Sequence, residues 1–110
     1  MKSIYISLPI TWQEKTYEAR LNAAVAYVKE MYPEYERIVT PKELAEELEH
    51  WYRISLHKKP SYKDYLLRDI GEISECDAIF MCKDWEHSNG CIAEQAFAMA
   101  IGIDILFQPM

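Results

Sequence analysis

Short apolar segments alternate along the chain with longer segments of helical period, which predicts an α/β fold built on a small parallel sheet with helices on both faces. Three observations carry that prediction. Residues 2–8 set Ile4, Tyr5 and Ile6 together and stop at Pro9, as a first strand does. Residues 77–82 form a second apolar run, Asp77-Ala78-Ile79-Phe80-Met81-Cys82. Between and after them, apolar residues recur at the three-to-four spacing of helices.

The elements follow in order. Leu21, Ala24, Val25, Val28 and Met31 define a helix over residues 13–31, which Pro33 ends. Residues 37–40 are a short second strand, and Pro41 then opens an acidic helix over 42–50. Residues 51–60 show no clean period and are expected as a loop rich in Trp51, Tyr52, Arg53, His57, Lys58 and Lys59. Tyr62, Leu66, Ile70 and Ile73 stripe a further helix that ends near Ser74. The strand at 77–82 comes next, then a helix over 89–101 with Gly102 just past its end, and a last strand at 103–107. The expectation is one domain, residues 1–110, with about four strands. Its exposed sheet edges and abundant Tyr and Trp suggest a homo-oligomer.

Composition narrows the function classes. Half of the 110 residues are hydrophobic, enough for one real core. The net charge of −6, with acids clustered at Glu43, Glu46, Glu47 and Glu49, excludes a nucleic-acid surface, which needs a basic stripe. A small anion held by a few local donors stays open. The N-terminal apolar stretch is too short and too interrupted for a signal peptide or membrane span, so a cytoplasmic protein without membrane contact is expected. The three cysteines form no CxxC pair and suggest no disulfide framework. Cys82, His87 and Cys91 lie close in sequence, but their spacing matches no zinc pattern. Neither GxGxxG nor a P-loop is present. No metal and no cofactor are expected.

Glu94 is the one charged residue in the run 88–102. Helix side chains tilt toward the helix N-terminus, so with Ser88 or Asn89 as cap its carboxylate leans back toward the preceding strand end. Open α/β sheets bind ligands in that crevice. Positions i±3 and i±4 hold Gly90, Cys91, Phe97 and Ala98, so no local ion pair explains the charge, although a distant partner such as Arg68 would. Ser88-Asn89-Gly90 caps the helix and also offers an anion site. The turn Ser7-Leu8-Pro9-Ile10-Thr11 follows the first strand, where small hydroxyls hold phosphate or sugar groups; the plainer reading is a strand stop with Thr11 as helix cap. Asp69 reads by itself as a solvated helix acid beside Arg68 and Glu72, and Asp77 as a strand-start residue bonded to a backbone turn. Trp51, Tyr62 and Trp85 would stack a base or, more simply, belong to core or interface.

Taken together, Tyr5-Ile6-Ser7-x-Pro9-Ile10-Thr11, Arg68-Asp69, Cys76-Asp77-Ala78-Ile79 and Trp85-x-x-Ser88-x-Gly90-x-x-x-Glu94 resemble the small DUF4406-type proteins of the nucleoside 2-deoxyribosyltransferase-like superfamily. The resemblance spans nearly the whole chain, is specific from Arg68 to Gly102 and is loose over residues 32–65. It implies a flavodoxin-like or Rossmann-like three-layer sandwich and chemistry at an N-glycosidic bond. Glu94 then stands at the nucleophile's place, Asp69 at that of the acid that protonates the departing base, and Tyr5 at that of the residue orienting the nucleophile. Ser88, six residues before Glu94, is similar to the branch that hydrolyses deoxynucleoside 5′-monophosphates, where the transferase branch has an aspartate. A hydroxyl donates to a phosphate that an aspartate would repel. Relatives usually carry glycine where this chain has Leu8, and the characterised enzymes extend beyond a fourth strand.

The reading is a nucleotide-directed N-glycosidase or deoxyribosyltransferase, with Glu94, Asp69 and Tyr5 as the catalytic set. Ser7, Pro9, Ser88, Asn89 and Gly90 surround the 5′-phosphate of a small-molecule nucleoside or nucleotide. The main alternative is a nucleotide-binding or sensing module without turnover, residues 51–60 forming a lid. The third is an interaction protein with a vestigial pocket.

Overall fold

The computed structural model describes residues 1–9 and 14–109. Its elements are β1 (Lys2–Ser7), α1 (Tyr17–Met31), β2 (Tyr35–Val39), α2 (Pro41–Ser55), α3 (Tyr62–Ile73), β3 (Ala78–Met81), α4 (Asn89–Ile101) and β4 (Asp104–Phe107). One turn of 3-10 helix precedes α1 and another, Trp85–His87, precedes α4. The four strands are all parallel in the order β2-β1-β3-β4. The chain steps outward from β1 to β2, then returns past β1 to β3. This puts the topological switch point between β1 and β3, where sheets of this class open a crevice at the strand C-termini.

The two faces of the sheet build separate cores. Ile4, Ile6, Ala78 and Phe80 pack with Leu21, Ala24 and Val28 of α1. Tyr5, Ile79 and Met81 pack on the opposite face with Leu44 of α2, Ile73 of α3, and Cys91 and Ala98 of α4. The strand period of two makes this division, and it sends Tyr5 and Ser7 to the α2–α4 face together. Burial on both faces explains why β3 is apolar throughout and why β1 is buried from Ser3 to Ser7.

The expected elements are present, with shifted bounds. The largest correction concerns residues 51–55, expected in a loop, which complete α2 through Ser55; residues 56–61 alone connect it to α3. Both of these helices start with a reciprocal capping box, Thr40 with Glu43 and Ser61 with Asp64. The second strand begins at Tyr35, two residues before the expected start. The expected cap Thr11 and helix start Gln13 lie outside the described residues. Gly102 ends α4 in the left-handed region at φ 79°, a backbone that glycine adopts without strain.

Polar links fasten the elements behind the switch point. The buried Glu72 accepts from Arg37 of β2 at 3.1 Å and from Arg68 at 3.0 Å, and Arg68 also pairs with Glu47 of α2 at 3.5 Å. Burial alone would push the Glu72 carboxyl up, but the two guanidinium partners outweigh it and hold it low. Asp77 accepts from the Ser3 backbone N–H at 2.8 Å, so it ties the start of β3 to the neighbouring strand β1 and not to the turn expected from its position. Arg68 is thus committed to Glu72 and Glu47, and it leaves Glu94 to other partners.

Candidate active site

Glu94 lies in the second turn of α4 and leans back over the C-terminal end of β1. It is 5% exposed. Tyr5 Oη donates to Glu94 Oε2 at 3.0 Å, and Ser7 Oγ donates to Glu94 Oε1 at 2.7 Å. Both donors are fully buried. Because they stand two residues apart on one strand, they share a face and grip both carboxylate oxygens, fixing the group's rotation.

Asp69, in the last turns of α3, lies within hydrogen-bonding reach of both Glu94 and Tyr5. Burial is the main cause that raises both carboxyls, Asp69 to about 6 and Glu94 to about 8. The charge of Asp69 raises Glu94 further, while the Ser7 and Tyr5 hydroxyls oppose that rise. Like charges this close oppose each other's ionisation, so burial and the neighbouring carboxyl together favour a protonated member in the pair. Burial, then the charges of Glu94 and Asp69, push the Tyr5 phenol well above its ordinary range, so it stays a donor.

The pair opens on a cavity of about 790 Å³, within the range of small-molecule sites. α4 contributes Ser88, Asn89, Gly90 and Cys91 to its wall, with His87 just before them. α3 adds Tyr62, Tyr65, Leu66 and Asp69, and α2 adds Pro41, Lys42, Ala45, Glu46 and Glu49. Tyr17 and Leu8 close the side toward α1. Burial and the Asp69 charge lift the Tyr17 phenol to about 12.

At the α4 N-terminus, Ser88 Oγ accepts from the Cys91 N–H at 3.3 Å, so its own proton is available to a ligand oxygen. A Cβ placed on Gly90 would lie 3.1 Å from Tyr62 Oη, so a larger residue would push the Tyr62 hydroxyl back from the helix start by a few tenths of an ångström. The capping and cavity roles expected for Ser88-Asn89-Gly90 therefore coincide in space. Ser7 and Pro9 are placed differently from the phosphate end. Ser7 is spent on Glu94, and the buried Pro9 offers its carbonyl to Arg20 Nη2 at 2.8 Å. Neither borders the cavity.

The aromatic trio does not assemble. Trp51 packs on Tyr52 and Trp85 on Phe107, leaving Tyr62 alone of the three at the cavity. Cys82 and Cys91 are buried while His87 is exposed. Among the described residues, the group of potential metal-ligating atoms within 4.8 Å of one another is Asp84, Glu86 and His87, all exposed. The walls from α2, and Tyr17 and Tyr65, were not singled out from sequence. The signal was there in the spacing of Lys42, Ala45, Glu46 and Glu49, which is one face of a helix.

The fold and site define a class, namely a small doubly wound α/β domain with a buried Glu94, a half-buried Asp69 and a helix N-terminus meeting at its switch point. The chain belongs to the family described as "Domain of unknown function (DUF4406)", which it matches over residues 2–107. No curated protein matches it. Its fold is that of a 2-desoxiribosyltransferase from Leishmania mexicana, with a TM-score of 0.61 and 23% sequence identity. The likeness covers 97% of this chain and 63% of that protein, so the chain spans less than two thirds of the transferase's length.

Proposed function

We propose that the protein cleaves the N-glycosidic bond of a (deoxy)nucleoside 5′-monophosphate through a glycosyl-enzyme intermediate. The observation that supports this most is the Glu94–Asp69 pair: a carboxylate held on both oxygens by Tyr5 and Ser7, facing a cavity, with a second carboxyl in contact to hold a proton. Glu94 attacks C1′, the C1′–N bond breaks, and its electron pair leaves with the base as Asp69 delivers a proton. Water or a second base then attacks C1′ and releases Glu94, which makes the reaction hydrolysis or transfer. Retaining glycosidases keep their carboxyls about 5 Å apart. Carboxyls within hydrogen-bonding reach of each other stand closer than that, so Asp69 turns from Glu94 onto the leaving base as C1′ enters.

Ser7 serves here as a positioning residue for Glu94. Ser88, Asn89 and Gly90 hold the 5′ group, using the Ser88 hydroxyl and the free amides of the α4 N-terminus. The uncharged outer face of α4, where Ile92, Met99 and Ile101 are exposed, supports self-association, which light scattering tests. No described helix is long and apolar enough to cross a membrane.

Base release from 2′-deoxynucleoside 5′-monophosphates, followed chromatographically, tests the reading. Glu94→Ala is expected to lower it by about a thousandfold or more. Unchanged release would end the proposal. A second reading, a binding module without turnover, draws on the same cavity, whose Ser88 hydroxyl and α4 N-terminus suit a 5′-phosphate whether or not the base is released. That reading expects saturable nucleotide binding and no free base.

A further inference from the structure

The acidic cluster of α2 separates into distinct fates in the structure. Glu43 is spent in the capping box with Thr40, and Glu47 pairs with Arg68. Glu49 borders the cavity and accepts from Tyr65 Oη through its Oε2 at 2.6 Å, which fixes the carboxylate and leaves Oε1 open. Glu46, three residues before it, borders the same cavity; its charge acts on Lys42, but among the described residues no hydrogen bond or ion pair takes up its carboxylate. The cation on this wall, Lys42, is already engaged by Glu18 of α1. The α2 wall therefore faces the ligand with acceptors.

The position of that wall says which part of a ligand meets it. α3 runs along the cavity from Tyr62, which sits over Gly90 at the α4 N-terminus, to Asp69 beside Glu94. With the 5′ group at α4 and C1′ at Glu94, as proposed above, the lining left for the base is that of α2 with Tyr17 and Tyr65. We infer that Glu46, with Glu49 beside it, selects the leaving base, and that the cavity takes bases presenting an exocyclic amino group. This rests on the base-release reading above. An amine donates N–H to a carboxylate, as the cytosine N4 amine does to Glu or Asp. A carbonyl at the same place turns lone pairs onto a negative charge and leaves the carboxylate without a partner.

The test uses ligand pairs that exchange the amino group for a carbonyl, the adjacent ring nitrogen gaining an N–H: the 5′-monophosphates of deoxycytidine against deoxyuridine, and of deoxyadenosine against deoxyinosine. A hydrogen bond to a charged group is worth between ten- and a hundredfold, and Glu46 is solvent-exposed, so the amino member is expected to lead by about tenfold in kcat/KM. Glu46→Gln, whose carboxamide can donate to a carbonyl, is expected to reduce that lead to about threefold or less. Equal rates for the two members, or a lead that Glu46→Gln leaves intact, would overturn the inference while leaving the glycosidase reading standing. If no base is released from any of the four, calorimetric Kd values for the same pairs carry the comparison. A tenfold preference for the amino ligand, lost in Glu46→Gln, then supports Glu46 as the selector although the catalytic reading has failed. No binding by any of them overturns both.

Discussion

Glu94 is a group whose ionisation the fold opposes, and that opposition is measurable. A carboxyl with a higher pKa in the folded chain than in the unfolded one binds its proton better when folded. The stability it contributes is therefore complete below the ordinary values of 3.8 and 4.5 for Asp69 and Glu94, and is lost as pH climbs through about 6 and about 8. The protein is expected to melt at a lower temperature at about pH 9 than at about pH 5. Glu94→Gln, which has no charge to bury, is expected to flatten that fall and raise the Tm at the alkaline end by roughly 5 °C. Parallel melting curves for the two proteins across this range would contradict a buried, protonated Glu94. Sequence revealed the oddness of this residue, because a lone charge among apolar helix positions is visible as composition. It did not reveal what holds it. Ser7 was expected at a phosphate, since the turn after a first strand commonly binds one, yet it shares the β1 face of Tyr5 and closes on Glu94. That pairing depends on where α4 lies over the sheet, which neither segment encodes alone.

At the level of elements, local signals were legible and extents were less so. Gly102 and Ser88 mark the ends of α4 where cap chemistry says they should. The end of α2 was misread because its outer surface at Trp51, Arg53 and Ile54 is exposed and breaks the apolar pattern, while Leu44 and Leu48 still point inward. Pro41 marked the start of α2 in the sequence, while the Thr40–Glu43 capping box that closes this end beside the cavity was passed over as the end of a strand. Removing its hydroxyl in Thr40→Ala is expected to cost about 1 kcal/mol in urea unfolding, typical of a lost N-cap. No change in the denaturation midpoint would show that the box adds nothing to α2. The network from Arg37 through Glu72 to Arg68 escaped sequence reading altogether, because it joins β2, α3 and α2 across 35 residues between Arg37 and Glu72.

Across the whole molecule, the order β2-β1-β3-β4 explains why a carboxyl pair, a helix N-terminus and the α2 wall meet at one place. The switch between β1 and β3 leaves a gap at the strand ends, Tyr5 and Ser7 stand in its floor, and the helices α2, α3 and α4 enclose it from one side. Strand alternation made the parallel sheet predictable. The cavity's composition was not, since its walls come from segments more than 70 residues apart in sequence, such as Leu8 and Ser88. The central claim is that Glu94 forms a covalent bond to C1′, and mass spectrometry of acid-quenched reactions with a 2′-deoxynucleoside 5′-monophosphate tests it most directly. The account predicts a deoxyribosyl phosphate adduct on the peptide containing Glu94, absent in Glu94→Ala. Release of base at an undiminished rate by Glu94→Ala, or an adduct on another residue, would contradict it.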